Sequence, residues 1–380
     1  MMSMKNKDVN MQHLERWFGD EKIAILRENM QGWYGRPIYL VDVPGHVWID
    51  AQGNFRGHLR GGQFMSAFDA IEDGMKRWLK SFGKGLMQPQ HAQFNAGFAS
   101  VSAALERASQ GFSQRRNFAK VGPTGVLGAT SSLWRVGPQP VAGAAGAAAP
   151  GGTAHTSANT GALSFANPAS GTLHLTGGSV SCNIINNTLL VYDRLFSVAK
   201  TMNSTATQAV TGVPTRYQST TPTAEDYAGD NFLFVEVGGT ALAATAHNWT
   251  VCTYTDQDGN GAATLPSLTG VSGAAVDRLD QTAQWFAPLA SGDTGIQQLD
   301  QMQCSAAVAT GAINFVIGHP LGWMSFPVVN SFFPFNWLFG ADDLAPRVFD
   351  NACIAFLEPL KPAATATTYT GKLTLINAAP

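Results

Sequence analysis

The run His247-Asn248-Trp249-Thr250-Val251-Cys252-Thr253-Tyr254-Thr255, leading into Asp256-Gln257-Asp258-Gly259-Asn260-Gly261, decides how the rest of the chain is read. Alternation along an extended backbone sets Trp249, Val251 and Thr253 on one face and Thr250, Cys252 and Tyr254 on the other. β-Branched and aromatic residues suit a half-buried pleated surface, and the Asp/Asn/Gly cluster then supplies a tight turn. A second polar turn, Ser291-Gly292-Asp293-Thr294-Gly295, follows Gln284-Trp285-Phe286-Ala287-Pro288-Leu289.

The same grammar extends in both directions. Strands are predicted at 171–183, 187–199, 230–238, 246–255, 282–289, 299–308, 311–318 and 368–377, separated by Gly, Asn and Asp turns. Residues 161–380 therefore read as one all-β sandwich domain, with a jelly roll as one version of it. The aromatic-rich segment 323–339, with Trp323, Phe326, Phe332, Phe333, Phe335, Trp337 and Phe339, holds too much Pro and Asn for a regular core strand. It is either a loop closing the sandwich or a contact surface that a partner buries.

Residues 1–120 read as a mixed amino-terminal region. Segments 36–43 and 46–50 predict a small hairpin turning at Pro44-Gly45, with Ala51-Gln52-Gly53-Asn54 as a turn after it. Phe64, Phe68, Ile71, Met75, Trp78 and Phe82 recur at helical spacing, as do Phe94, Phe98, Val101, Leu105, Ala108 and Phe112. The connector Gly83–Pro89 makes these an antiparallel helical hairpin that packs on its own domain or on a neighbour. Residues 121–160 form a Gly/Ala/Pro-rich linker, or a strap laid across a neighbour's surface, with Trp134 as its aromatic anchor. The expected class is α+β: helical hairpin first, sandwich last.

Charged residues make up only 13% of the 380, against roughly 25% in an ordinary soluble domain. A surface so poor in charge does little to repel other proteins, which favours an assembly component over a freely diffusing enzyme. Residues 1–140 carry a balance of +6 and residues 141–380 a balance of −8. The basic residues are scattered, so an ordinary solvated surface is preferred to direct nucleic-acid contact. Cys182, Cys252, Cys304 and Cys353 are widely spaced, three of them inside strand-like runs, and read as buried thiols. No apolar stretch follows Met1 as in a signal peptide, and no run of 18 apolar residues suggests a membrane span.

Candidate chemistry is thin. Asp256, Asp258 and Asn260 match the opening of a calcium loop, but Ser267 stands where a bidentate Glu is needed, so a strand-ending turn is preferred to a metal site. The chain has no GxSxG elbow, Walker loop, strand-linked GxGxxG or HExxH. His155, His174, His247 and His319 sit apart in apolar or Thr-rich surroundings and read as structural. No catalytic residue, enzymatic activity or cofactor is expected.

Five segments carry a resemblance: Ser132–Arg135 ahead of the Gly/Ala/Pro-rich linker, Asn187–Phe196, Tyr254–Gly259, Ala290–Gly295 and Ala345–Asn351. Together, over residues 130–380, they resemble structural proteins of tailed bacteriophages. The resemblance implies a non-enzymatic virion component of head or tail, assembled in the host cytoplasm from many copies with itself and other virion proteins. No functional residue is carried over. A capsid-associated protein, shell-forming or decorating, is the first expectation; a tail receptor- or carbohydrate-binding module, needing Trp285, Trp323 or Trp337 exposed, is the alternative. Candidate assembly contacts are Phe64, Phe68, Phe94, Phe98, Trp134, Trp323, Phe332, Phe333 and Trp337.

Overall fold

The computed structural model describes residues 47–49, 55–57, 98 and 101–378, apart from 223, 282, 283 and 339–344. The chain divides into two compact units, Met1–Gln88 and Pro89–Pro380. In the first, β1 (Val47–Ile49) pairs antiparallel with β2 (Phe55–Gly57), Trp48 opposite Arg56. Residues 50–54 join them, and the predicted turn at Pro44-Gly45 lies outside the described residues. The predicted strand 36–43, the helix at 64–82 and the Gly83–Pro89 connector lie outside the described residues.

The described residues are predominantly β, with 41% in strands, and no helical hairpin is shown among them. Of the predicted helix at 94–112, α1 (Val101–Ser109) is helical. The chain then turns at Gly111, where φ is 90°, and enters a strand at Ser113. The register of the expected apolar seam also differs: Ala104 is buried, whereas the seam residue Leu105 is 57% exposed.

A barrel lies at the centre of the second unit. β10 (Phe232–Val237), β15 (Ile313–Phe326), β8 (Asn187–Lys200), β18 (Ile354–Glu358) and β4 (Ser131–Ser132) are neighbours in that order, all antiparallel. Residues 277–280 close the ring. Ser131 bridges Arg278, Leu279 bridges Glu236, and the Ser132 and Val237 amides donate to the Asp277 and Arg278 carbonyls at 2.7 and 2.8 Å. Leu190, Tyr192, Phe234, Val316, Ala355 and Leu357 fill the interior.

Two more sheets pack on the outside. One runs β16 (Phe333–Asn336), β7 (Leu173–Cys182), β19 (Thr368–Asn377), β3 (Ser113–Val121), β5 (Pro138–Gln139), with β17 (Arg347–Val348) also on β7. It covers one half of β8 and β15 through a core that includes Leu175, Val180, Leu189, Val191, Phe326 and Leu373. The other runs β12 (Ala263–Thr264), β11 (Asn248–Asp256), β14 (Ile296–Cys304), β9 (Gln208–Ala209), with β13 (Leu268–Thr269) also on β11. It covers the other half through Trp249, Tyr254, Phe196, Val198, Phe315 and Ile317.

Bulges let two strands serve both cores. The pairing of β8 with β15 slips between Ile317 and Gly318 and between Pro320 and Gly322, leaving Leu195 and Leu321 as the extra residues. Each extra residue reverses which parity of side chain faces outward. Residues 189 and 191 thus point to one outer core, 196 and 198 to the other. A bulge at Thr250 does the same in β11, where Trp249 shares the core face with Cys252 and Tyr254 instead of with Val251 and Thr253.

The expected strands at 171–183, 187–199, 230–238, 246–255 and 368–377 are present to within a few residues, and those at 299–308 and 311–318 are shifted or extended. No strand is described in 282–289; there the Ala287 amide donates to the Leu233 carbonyl along the edge of β10. β3 and β18 were not anticipated, and β3 brings residues well before 161 into the β fold. The Gly/Ala/Pro-rich segment packs on its own chain. β6 (Thr153–Ala154) pairs with β8 at Ser197 and Phe196, and Ala148 bridges Ala199, filling the edge of β8 beyond the end of β18. Trp134 is held under this strap, its Nε1 donating to the Ala144 carbonyl at 2.7 Å. Gly143 is required there, since a Cβ would fall 2.1 Å from the indole. All four cysteines are free and buried.

Candidate functional site

The polar clusters are interior. In the barrel, Arg194 and Glu236 form a two-pronged pair at 2.5 and 3.1 Å, both side chains fully buried. Burial opposes the Arg194 charge, and the Glu236 carboxylate outweighs it, raising the guanidinium above its ordinary range. Beside it, Arg216 grips Asp193 at 2.7 and 2.8 Å, and the Cys353 amide donates to the same carboxylate. His155 Nε2 lies 2.7 Å from Ser197 Oγ and also accepts from Arg194 Nε at 3.3 Å. Burial and the two arginines push His155 down to about 2, so the ring is neutral. This Ser–His contact is sealed by the strap: a Cβ on Gly146 would fall 2.5 Å from Ser197 Oγ. It pins the strap to β8.

The other clusters are structural in the same sense. Burial lowers His319 to about 3; it stacks on Tyr217 at 3.6 Å and contacts Asn231 Oδ1. Near the junction of barrel and outer sheet, Glu358 accepts from Asn187 and Tyr369, with Lys361 3.4 Å away. Asp256 caps its own turn, accepting from the backbone of Asp258 and Asn260 and from the Asn260 amide. Burial acts to raise this carboxyl, and the hydrogen bonds win and hold it below the ordinary range. The Asp258 carboxylate accepts from Gln257 instead of converging on Asp256. Among the described residues no group of three acidic, His or Cys side chains is placed to hold a metal ion.

His247 differs from the other histidines. Nε2 faces Asp280 at 2.8 Å and Nδ1 faces the Thr245 carbonyl at 2.9 Å, two acceptors that a protonated ring satisfies together. The bond to Asp280 raises its pKa against the opposing effect of burial. A raised folded pKa means that this stabilisation is complete below the ordinary value of 6.5 and is lost as pH rises through the folded value. The stability gap between the protein and His247→Gln should therefore be about 1.5–3 kcal/mol at pH 5.5 and shrink toward alkaline pH. Urea unfolding across that range measures it, and a gap independent of pH would show the ring to be neutral.

The surface feature is aromatic. The turn joining β7 to β8 and the loop joining β15 to β16 lie side by side, the Asn186 amide donating to the Phe326 carbonyl and Asn330 to Cys182 at 2.8 and 2.7 Å. They expose a strip of Ile185, Val328, Val329 and Phe332, each between 44% and 61% accessible. Next to it is a groove of about 460 Å³, walled by Trp323, Phe333 and Phe335 and rimmed by Asn186, Thr188 and Ser325. Phe333 and Phe335 reach it together because they are two apart on β16.

The candidate contact residues separate cleanly. Phe64, Phe68 and Phe94 lie outside the described residues. Phe98 is half-buried with its ring 5.0 Å from His174. Trp134 and Trp337 are core residues, the latter seated on Gly322, where a Cβ would fall 2.7 Å from its ring. Trp323 is half-buried with its edge against Trp285, and Phe332 and Phe333 are exposed. Within the segment 323–339, Trp323–Phe326 end β15 and Phe333–Asn336 form β16 instead of a loop; Phe326 and Trp337 are buried, and Phe332 and Phe333 are exposed. Asn186, Thr188, Ser325 and Phe335 were not singled out as site residues; the Asn183-Ile184-Ile185-Asn186 turn was the available signal for the first.

No protein-family model, curated protein or solved structure matches this chain.

Proposed function

We propose that the chain is a bacteriophage virion structural protein, associated with the capsid and acting through repeated subunit contacts. The observation that carries this reading is the strip of Ile185, Val328, Val329 and Phe332, an apolar surface with no core of its own to fill. Low charge and polar clusters spent on holding the interior support it. The neighbouring edge strand contains Pro334, which blunts backbone pairing, so the contact is made by side chains.

Two measurements test the proposal. Phe332→Ser with Val329→Ser should leave the unfolding midpoint nearly unchanged, within about 0.5 kcal/mol, because both residues are exposed. The same pair should abolish self-association in sedimentation velocity and incorporation into particles. Antibody to residues 161–380 should label the shell of intact particles in immunogold microscopy. Normal assembly of the variant, or label confined to the tail tip, overturns the proposal.

A further inference from the structure

We infer that the groove beside the strip is a binding site for an uncharged glycan, seating a pyranose ring in the angle between Phe333 and Phe335, whose rings lie 5.2 Å apart and tilted by 60°. Its volume of about 460 Å³ lies within the roughly 300–1,000 Å³ of small-ligand sites. This inference is independent of the assembly reading.

Three observations point to that ligand. First, the aromatic wall is held in place from behind. Phe335 packs on the buried Phe326 at 5.6 Å and parallel to the buried Trp337 at 6.4 Å, while Trp323 is braced by Trp285 at 5.0 Å. Rings fixed by a buried layer lose little freedom when a ligand arrives, and they offer flat apolar faces to sugar C–H groups.

Second, the rim carries polar groups free to bind. The Asn186 side-chain carboxamide and the Ser325 hydroxyl make no hydrogen bond among the described residues, and both residues are exposed. Thr188 donates its hydroxyl proton to the Pro359 carbonyl and keeps its lone pairs for an incoming donor. A hydrocarbon would leave these groups unused. A sugar hydroxyl both donates and accepts, so it can use all three.

Third, among the described residues no Asp, Glu, Lys or Arg lines the groove. A sulfated, phosphorylated or carboxylated ligand would surrender hydration there with no opposite charge in return. The electrostatics select a neutral polyol.

The test uses the full chain and neutral hexasaccharides of glucose, galactose, mannose and N-acetylglucosamine, with a galacturonate hexasaccharide as the acidic counterpart. Saturation-transfer NMR should show contact to the ring C–H protons of at least one neutral oligomer. Phe333→Ala should weaken that binding by about tenfold or more. Asn186→Gly should weaken it as well; glycine suits the positive φ of 57° there, so only the amide is lost. Leu127→Ser, at a 68% exposed position outside both the groove and the strip, should leave binding within about twofold. The inference is overturned by transfer to none of the neutral oligomers, by tighter binding of the acidic one, or by binding that both groove variants leave unchanged. Unfolding midpoints of the variants confirm that each is folded, and either groove variant alone suffices for the test.

Discussion

Arg194→Met should cost the fold about 3–5 kcal/mol at neutral pH, because it strands the Glu236 carboxylate inside the barrel with no counter-charge. The loss comes from the remaining partner more than from the missing contact. Arg194→Met with Glu236→Leu should therefore recover most of it, since an apolar pair of similar volume needs no compensation. The single variant should also respond to pH. Burial without a partner raises the folded pKa of a carboxyl, so the penalty accumulates as pH rises above the unfolded value of about 4.3. Urea midpoints of the three proteins at pH 4.5 and 7.5 measure both effects. A single variant losing under about 1 kcal/mol would mean that Glu236 finds another donor or water inside the barrel.

Trp134→Ala should be comparably damaging. The indole is 1% exposed, carries the Arg194 guanidinium 4.8 Å above its ring and donates to the Ala144 carbonyl. Removing a buried tryptophan costs about 3–5 kcal/mol through lost transfer energy and the cavity left behind. Here it also removes what the strap is folded around, so protease cleavage between residues 136 and 152 should quicken before global unfolding. Val141→Ser, at a position 58% exposed on the same strap, should leave cleavage and midpoint unchanged. If the strap of Trp134→Ala stays protected, its pairing with β8 is enough to hold it.

Several strands were legible because their residues alternate and their turns are punctuated, as from Leu173 to Cys182 and from Thr368 to Asn377. The faces were less so. Trp249, Val251 and Thr253 share parity in the sequence, and only the extra residue at Thr250 separates them; nothing in the residue types marks that bulge. The predicted strand 311–318 stops short of the end of β15 at Phe326, and Pro320 and Gly322 fall in the part it misses. Pro320 is accommodated beside the bulge, and Gly322 is small because Trp337 lies on it. The strap looked featureless for a related reason. Small residues there let two backbones and an indole approach closely, which composition alone cannot distinguish from a flexible linker. The candidate groove was half visible: the aromatics of 323–339 stood out, but Asn186 and Thr188 reach them only through folding.

The pairing of β3 with β19 sets Ser113 opposite Ile376. β3 must therefore wait for β19, made far later along the chain, before its sheet exists, and the ring also waits for β18. Partners so far apart along the chain close slowly, after the full entropy of the intervening loop has been overcome. A nascent chain stalled before residue 354 would hold apolar strands with unfilled edges, open to any neighbouring chain on the same message. Completing the stretch from β18 through β19 is thus the step that separates folding from aggregation.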